Sequence, residues 1–197
     1  MIVVIDSGVA NLASVRAALK RLNVEAEVTS DIQKILAATR VILPGVGSAS
    51  AAMAQLEAKK LTNVMRNLTQ PVLGICLGMQ LLFTHSEEGQ GCACLDVIQG
   101  AVKQLRPKPD MPIPHMGWNQ IKASALHHPL LRGVTGENFV YFVHSFAAPI
   151  GGYTLASCDY TETFTAVAGY KNFFGCQFHP ERSGPIGSQI LKNFLEM

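Results

Sequence analysis

A three-layer α/β fold with a mixed, mostly parallel central sheet is what this sequence predicts, and three observations predict it. The first half alternates short apolar runs with segments whose apolar residues recur at helical spacing, the mark of strand–helix units in a sheet covered on both faces. The second half changes character, with many prolines over residues 96–122 and closely spaced β-like runs after them, which makes the sheet mixed. No repeat, low-complexity tract or linker interrupts the chain, so its 197 residues read as one domain, 1–197, long enough to bury a substantial core.

The elements follow in order. Ile2 to Ile5 is an apolar strand that ends at Asp6. Asn11 to Leu22 carries Leu12, Val15, Leu19 and Leu22 on one helical face. Glu25 to Thr29 alternates as a strand does, and Arg40 to Leu43 is another short strand. A helix rich in Ala, Leu, Met and Lys is expected from Ser48 to about Arg66. Pro71 to Ile75 reads as a strand and Gly78 to His85 as a helix. Phe139 to Val143, Tyr153 to Ser157, Phe164 to Ala168 and Phe173 to Phe178 are the later strands. The final helix, about Gly187 to Glu196, presents Ile190, Leu191, Phe194 and Leu195.

Composition excludes several classes. A net charge of +2 is too small to argue for nucleic acid or an anionic membrane as partner. No apolar run approaches membrane-spanning length, and the Met1-Ile2-Val3-Val4-Ile5-Asp6 start lacks the basic and long apolar regions of a signal peptide. With 48% hydrophobic and only 15% charged residues, the exterior is sparing in charge, which favours a surface patch covered by a partner. The five cysteines are odd in number and spaced like neither a disulfide framework nor a zinc site. A reducing cytoplasm fits them, and Cys92 and Cys94 read as two loop cysteines.

Cys76 is different, because Gly74 and Gly78 frame it where a strand turns into a helix. A nucleophile at such a corner is held in a strained turn above the sheet edge, and small residues two before and two after let backbone pass close by. The helix start favours thiolate, and the Leu77 amide faces the place where an oxyanion forms. On its own this frame fits a buried structural cysteine equally well, so it needs a base. Among the six histidines, His179 begins His179-Pro180-Glu181 after a strand. Pro180 pushes His179 into extended backbone, where residues two apart face the same way, so Glu181 can orient the imidazole. Cysteine, histidine and carboxylate then make nucleophile, base and orienter. The Leu43-Pro44-Gly45-Val46-Gly47-Ser48 stretch runs from a strand end into a helix, and its glycines free the peptides around Val46 and Gly47 to supply a second oxyanion donor.

Taken together, Gly74-Ile75-Cys76-Leu77-Gly78-Met79-Gln80, Pro44-Gly45-Val46-Gly47 and Phe178-His179-Pro180-Glu181-Arg182-Ser183-Gly184 resemble the class I (triad) glutamine amidotransferases. Pro114-His115-Met116-Gly117-Trp118-Asn119 and Tyr141-Phe142-Val143-His144-Ser145-Phe146 narrow the resemblance to the glutaminase subunits of imidazole glycerol phosphate synthases. It runs from the first strand to the last helix and implies the flavodoxin-like fold of that class. It also implies that Cys76 attacks the side-chain amide of L-glutamine, that a glutamyl thioester forms, and that ammonia passes to a (β/α)8-barrel synthase subunit in a heterodimer, with neither cofactor nor metal. Carried over position by position, Val46, Gly47 and Leu77 are the oxyanion residues. Gln80, Glu88, His144, Ser145 and Phe146 meet the substrate, Glu88 through its α-ammonium. Many relatives have Tyr where Phe146 stands and Lys where Arg182 stands, so a hydroxyl contact is missing at the first and the geometry of the charge differs at the second. Trp118, Asn119 and Arg182 are expected at the partner interface.

Overall fold

The computed structural model describes residues 1–8, 11–125, 127–134 and 138–197. Its first half runs β1 (Ile2–Ile5), α1 (Leu12–Arg21), β2 (Ala26–Thr29), α2 (Ile32–Ala37), β3 (Arg40–Gly45), α3 (Ala49–Ala58), α4 (Thr62–Arg66) and β4 (Val72–Cys76). There follow α5 (Leu77–Gln80), β5 (Phe83–Ser86), β6 (Cys92–Ala93), β7 (Ile98–Gln104), β8 (His115–Ala123), β9 (Asn138–His144) and β10 (Phe146–Ala147). The chain ends with β11 (Thr154–Asp159), β12 (Thr163–Tyr170), β13 (Phe173–Cys176) and α6 (Gly184–Glu196).

Nine strands form the main sheet in the order β2-β1-β3-β4-β13-β12-β11-β8-β9. Pairing is parallel from β2 through β13 and antiparallel from β13 to β9. The parallel strands read as unbroken apolar runs because both their faces are buried. Alternation along β1 shows it: Val4 packs into one apolar core with Val15 and Leu19 of α1 and Phe194 of α6. Val3 and Ile5 pack into the other with Leu56 of α3, Met65 of α4 and Phe83 of β5. The sheet is thus a wall between two cores, the three-layer arrangement that the sequence predicts.

Helix ends are set by local chemistry. The Asn11 side chain accepts from the Ser14 amide at the start of α1, and the Asp31 carboxylate accepts from the Gln33 and Lys34 amides at the start of α2. The expected helix from Ser48 to Arg66 is two helices. Lys60 takes φ +57°, its amide bonds to the Glu57 carbonyl at 2.8 Å and the Leu61 amide to the Leu56 carbonyl at 2.8 Å. That is the glycine-type helix stop, built here on a lysine, and so it carries no composition signal.

A second correction bears on the site. The expected helix from Gly78 to His85 is one turn, α5, after which the chain becomes β5. The Leu81-Leu82-Phe83 run fits either element by pattern alone. What decides it is a partner: β5 pairs with β6 and β7 in a four-stranded second sheet, order β10-β7-β5-β6. His85 therefore lies in a strand and not at a helix end, and the support that a long helix dipole would lend Cys76 reduces to the amides of one turn.

Candidate active site

Three neighbouring strands bring the site together. β3, β4 and β13 lie side by side, with Gly45 opposite Cys76 and Cys176 opposite Ile75. The segments leaving their ends carry Val46 and Gly47, Cys76, and His179, which are remote in sequence.

The glycine frame works by close approach. A Cβ on Gly78 would sit 1.8 Å from the Leu43 carbonyl oxygen, and one on Gly74 would sit 2.6 Å from the Gly78 carbonyl oxygen. α5 can lie directly on β3 and β4 only because neither position has a side chain. Cys76 itself takes φ +54° and ψ −111°. This is a strained conformation for a residue with a Cβ, costing on the order of 1–3 kcal/mol. The Gly45 and Gly47 expectation is refined: Gly47 does use φ +89°, whereas Gly45 is needed for space, since its Cβ would sit 2.8 Å from the Gly78 amide nitrogen.

The His179 Nδ1 and Glu181 Oε1 atoms lie 2.8 Å apart, both side chains buried. Extended alternation was the expected route to this contact. Only His179 is extended, and a 3-10 turn over Pro180–Arg182 brings the carboxylate back to the ring. The turn is strapped in place. The Ser183 hydroxyl donates to the His179 carbonyl at 2.6 Å and accepts from the Tyr141 amide of β9 at 2.9 Å. Gly187 lets α6 press on it, because a Cβ there would meet the Pro180 carbonyl oxygen at 2.0 Å. Burial alone would push the His179 imidazole down, but its hydrogen bonds to Cys76 and Glu181 and their charges lift it to about 10. Burial pushes the thiols of Cys94 and Cys158 up to about 12 and that of Cys176 well above the ordinary range. These three are poor nucleophiles near neutral pH, and none has His179 beside it.

Cys76 and His179 open into a cleft of about 350 Å³. Val46, Gly47 and Leu77 line it together with Gln80, Glu88 and the segment His144-Ser145-Phe146. Glu88 also accepts from the Ala49 amide at 2.6 Å, so its carboxylate caps α3 while lining the cleft. His144 is held by a chain whose direction is fixed. The Asn119 Nδ2 donates to the Asp159 carbonyl (2.9 Å), which makes it the donor to His115 Nε2 as well (3.2 Å). His115 Nδ1 must then carry the proton shared with His144 Nε2 (3.0 Å), and His144 Nδ1 the one given to the Phe146 carbonyl (2.9 Å). Both rings are neutral: burial pushes His115 down to about 4 and His144 to about 3.

Sequence reasoning missed His115 as the support of His144, and Pro114 and Val143 as lining. It also missed Gln177, fully buried beside Cys76, with Nε2 3.9 Å from the Cys76 Sγ. A signal was present, since Gln177 is the polar residue two before His179 in an apolar strand end.

The expected interface residues do not share one face. Trp118 is 56% exposed, stands edge-on to Tyr141 and adjoins Met116, also exposed, on the outer face of β8. Asn119 points the other way, into the histidine chain just described. Arg182 is exposed on the 3-10 turn after His179.

The profile of the glutamine amidotransferase class-I family matches residues 3–197. "Imidazole glycerol phosphate synthase subunit HisH" of Shewanella loihica is 51% identical, over 99% of this chain and 90% of that one. The protein of the same name from Yersinia pseudotuberculosis is 50% identical, over 100% of this chain and 99% of that one. The chain belongs to the class-I glutamine amidotransferases, in the HisH family. A solved crystal structure of a glutamine amidotransferase superimposes with a TM-score of 0.76 at 16% identity, over 100% of this chain and 98% of that one. At that identity the likeness speaks for the amidotransferase fold alone. Family membership and fold both agree with the reading of the motifs.

Proposed function

We propose that this chain, as one domain over residues 1–197, is the glutaminase subunit of an imidazole glycerol phosphate synthase in histidine biosynthesis, with Cys76, His179 and Glu181 as its catalytic set. The observation that carries the assignment is the 2.8 Å His179–Glu181 contact, next to a cysteine held at a strained strand end. Glu181 engages Nδ1, which leaves Nε2 for the Cys76 proton. The Cys76 sulfur attacks the side-chain carbonyl carbon of L-glutamine, and the resulting oxyanion lies toward the amides of Leu77 and the Val46–Gly47 segment. His179 delivers its proton to the leaving nitrogen, ammonia departs, and a glutamyl thioester remains on Cys76. Water then attacks the thioester with His179 as base, releasing glutamate and restoring the thiol. Glu88 supplies the negative charge for the substrate's α-ammonium, while Gln80 and the His144-Ser145-Phe146 segment hold its amino-acid end.

Ammonia released to water at neutral pH would be mostly protonated and no nucleophile. Transfer to a (β/α)8-barrel synthase subunit in a heterodimer avoids this, and there the ammonia reacts with a phosphoribosyl-formimino aminoimidazole carboxamide ribotide to give imidazole glycerol phosphate and aminoimidazole carboxamide ribotide. The exposed Trp118 and Met116 on β8, with Arg182 nearby in the chain's last turn before α6, are the apolar and charged parts of the docking face. The unpaired thiols suit a reducing cytoplasm, and no helix among the described residues is long and apolar enough to cross a membrane.

The test is Cys76→Ala. It should abolish glutamine hydrolysis, leave binding to the synthase subunit intact, and leave that subunit's synthesis from added ammonium salt unaffected. Glutaminase activity retained by the purified variant would remove the nucleophile assignment.

A further inference from the structure

We infer that Gln177 is a second polar group of the nucleophile, a buried donor that holds the Cys76 sulfur from behind the cleft and favours its anionic form. The inference rests on the reading of Cys76 as nucleophile. Gln177 leaves the end of β13 two residues before His179, and Phe178 between them is fully buried in the apolar core. Residues two apart in extended chain share a side, so Gln177 and His179 both face Cys76. The Gln177 side chain is fully buried, where a carboxamide needs partners for each end. It has them: Oε1 accepts from Gln80 Nε2 at 3.1 Å, and Nε2 lies 3.9 Å from Cys76 Sγ.

The orientation of this amide follows from a backbone carbonyl. Gln80 Nε2 is 2.9 Å from the Phe146 oxygen, which can only accept. The Gln80 nitrogen is therefore the donor toward Gln177 also, so the Gln177 oxygen faces Gln80 and its NH2 group is left facing the sulfur. The two protonation states of Cys76 then gain unequally from what surrounds the sulfur. The sulfur also lies 3.8 Å from the Val143 carbonyl, which can only accept. As a thiolate it has no proton to give that carbonyl, whereas the Gln177 N–H dipole points at the new charge from a buried, weakly screening position. A donor that bonds a thiolate more strongly than a thiol shifts the balance toward the anion. The same amide ties the sulfur to Gln80 and, through the Phe146 carbonyl, to the His144 chain. Nucleophile and substrate-binding segment are thereby held in one hydrogen-bonded unit.

The experiment reads iodoacetamide alkylation of the Cys76 peptide against pH by mass spectrometry of the full chain, which separates this thiol from the other four. Gln177→Glu keeps the shape and the acceptor for Gln80 but removes the donor at the sulfur; Gln177→Met removes both. Each should move the alkylation midpoint up by about one pH unit or more, tenfold in thiolate at a given pH. In Gln177→Glu the KM for glutamine should stay within about twofold while kcat falls about tenfold, because the acceptor for Gln80 survives. An unchanged midpoint in a folded variant, or a raised KM with unchanged kcat, would reduce Gln177 to a support for Gln80 and overturn the inference. In the unaltered protein, the side-chain amide protons of Gln177 should shift as Cys76 ionises, and an amide resonance indifferent to that titration overturns it even where both variants fail to fold. Cys76 ionisation is read directly in each arm, so a failure here is distinct from Cys76→Ala retaining glutaminase activity, which would sink the nucleophile itself.

Discussion

Replacing His144 by Asn tests the neutral histidine chain behind the cleft-lining segment His144-Ser145-Phe146. His144 is pushed down to about 3 in the folded chain by burial, against an ordinary value near 6.5 in the unfolded one. The unfolded state therefore takes up a proton first, and the stability that His144 contributes is fully present above about pH 6.5 and lost as the pH falls from there toward 3. At about pH 5 the unfolded ring is favoured by roughly 1.5 pH units, which corresponds to about 2 kcal/mol at 1.36 kcal/mol per unit. His115, pushed down to about 4, adds a loss of the same sign. Asn at 144 retains a donor for the Phe146 carbonyl but has nothing to protonate. Urea unfolding followed by circular dichroism at about pH 8 and about pH 5 measures the effect. The unaltered chain should lose about 2 kcal/mol more than His144→Asn between the two conditions. His179, whose raised value acts in the opposite sense, contributes equally to both proteins and cancels. Equal pH dependence in the two proteins would refute a neutral buried His144.

Four further outcomes follow from the site. Thioester formation, followed by mass spectrometry, should be slower in His179→Ala than in Glu181→Ala, because the carboxylate orients and stabilises the ring without transferring the proton; the reverse order would contradict the assignment. Glu181→Gln should move the alkaline limb of the glutaminase pH profile to lower pH, since Glu181 raises the imidazole. The two loop glycines should fail differently. Gly45→Ala forces a Cβ to 2.8 Å from the Gly78 amide and should cost about 1–3 kcal/mol in thermal or denaturant unfolding. Gly47→Ala has open space around it, but its φ of +89° disfavours Ala, so it should fold and lose up to about 10²–10³ in kcat through a misplaced oxyanion donor.

Much of the site was legible because its chemistry imposes residue types at short range. The glycine frame of Cys76 and the His179-Pro180-Glu181 turn are each written in five residues or fewer, and the α/β class in the apolar runs of β1, β3 and β4. What was illegible depended on partners far along the chain. α5 ends after one turn because β5 finds β6 and β7, and no local pattern announces that pairing. The break between α3 and α4 was hidden because Lys60 holds a backbone conformation usually given to glycine. Asn119 was grouped with Trp118 by adjacency, although adjacent residues of a strand face opposite sides. Gln177 and His115 look like ordinary core polar residues until Gln80 and His144 are seen beside them.

The place of β13 has a consequence for how the molecule comes to work at all. This strand comes last in sequence among the strands of the described residues, yet it is inserted between β4 and β12, where the parallel half of the sheet meets the antiparallel half. It is the seam of the wall, and His179, the base proposed for Cys76, follows three residues after its end. Until residues 173–179 dock, the Cys76 corner can form on β3 and β4 but lacks His179, and the two halves of the sheet share no hydrogen-bonded edge. Contacts of such long sequence separation form slowly and late. With the proposed triad, completion of the fold and activation of the Cys76 thiol coincide, so a nascent or unzipped chain should destroy no glutamine.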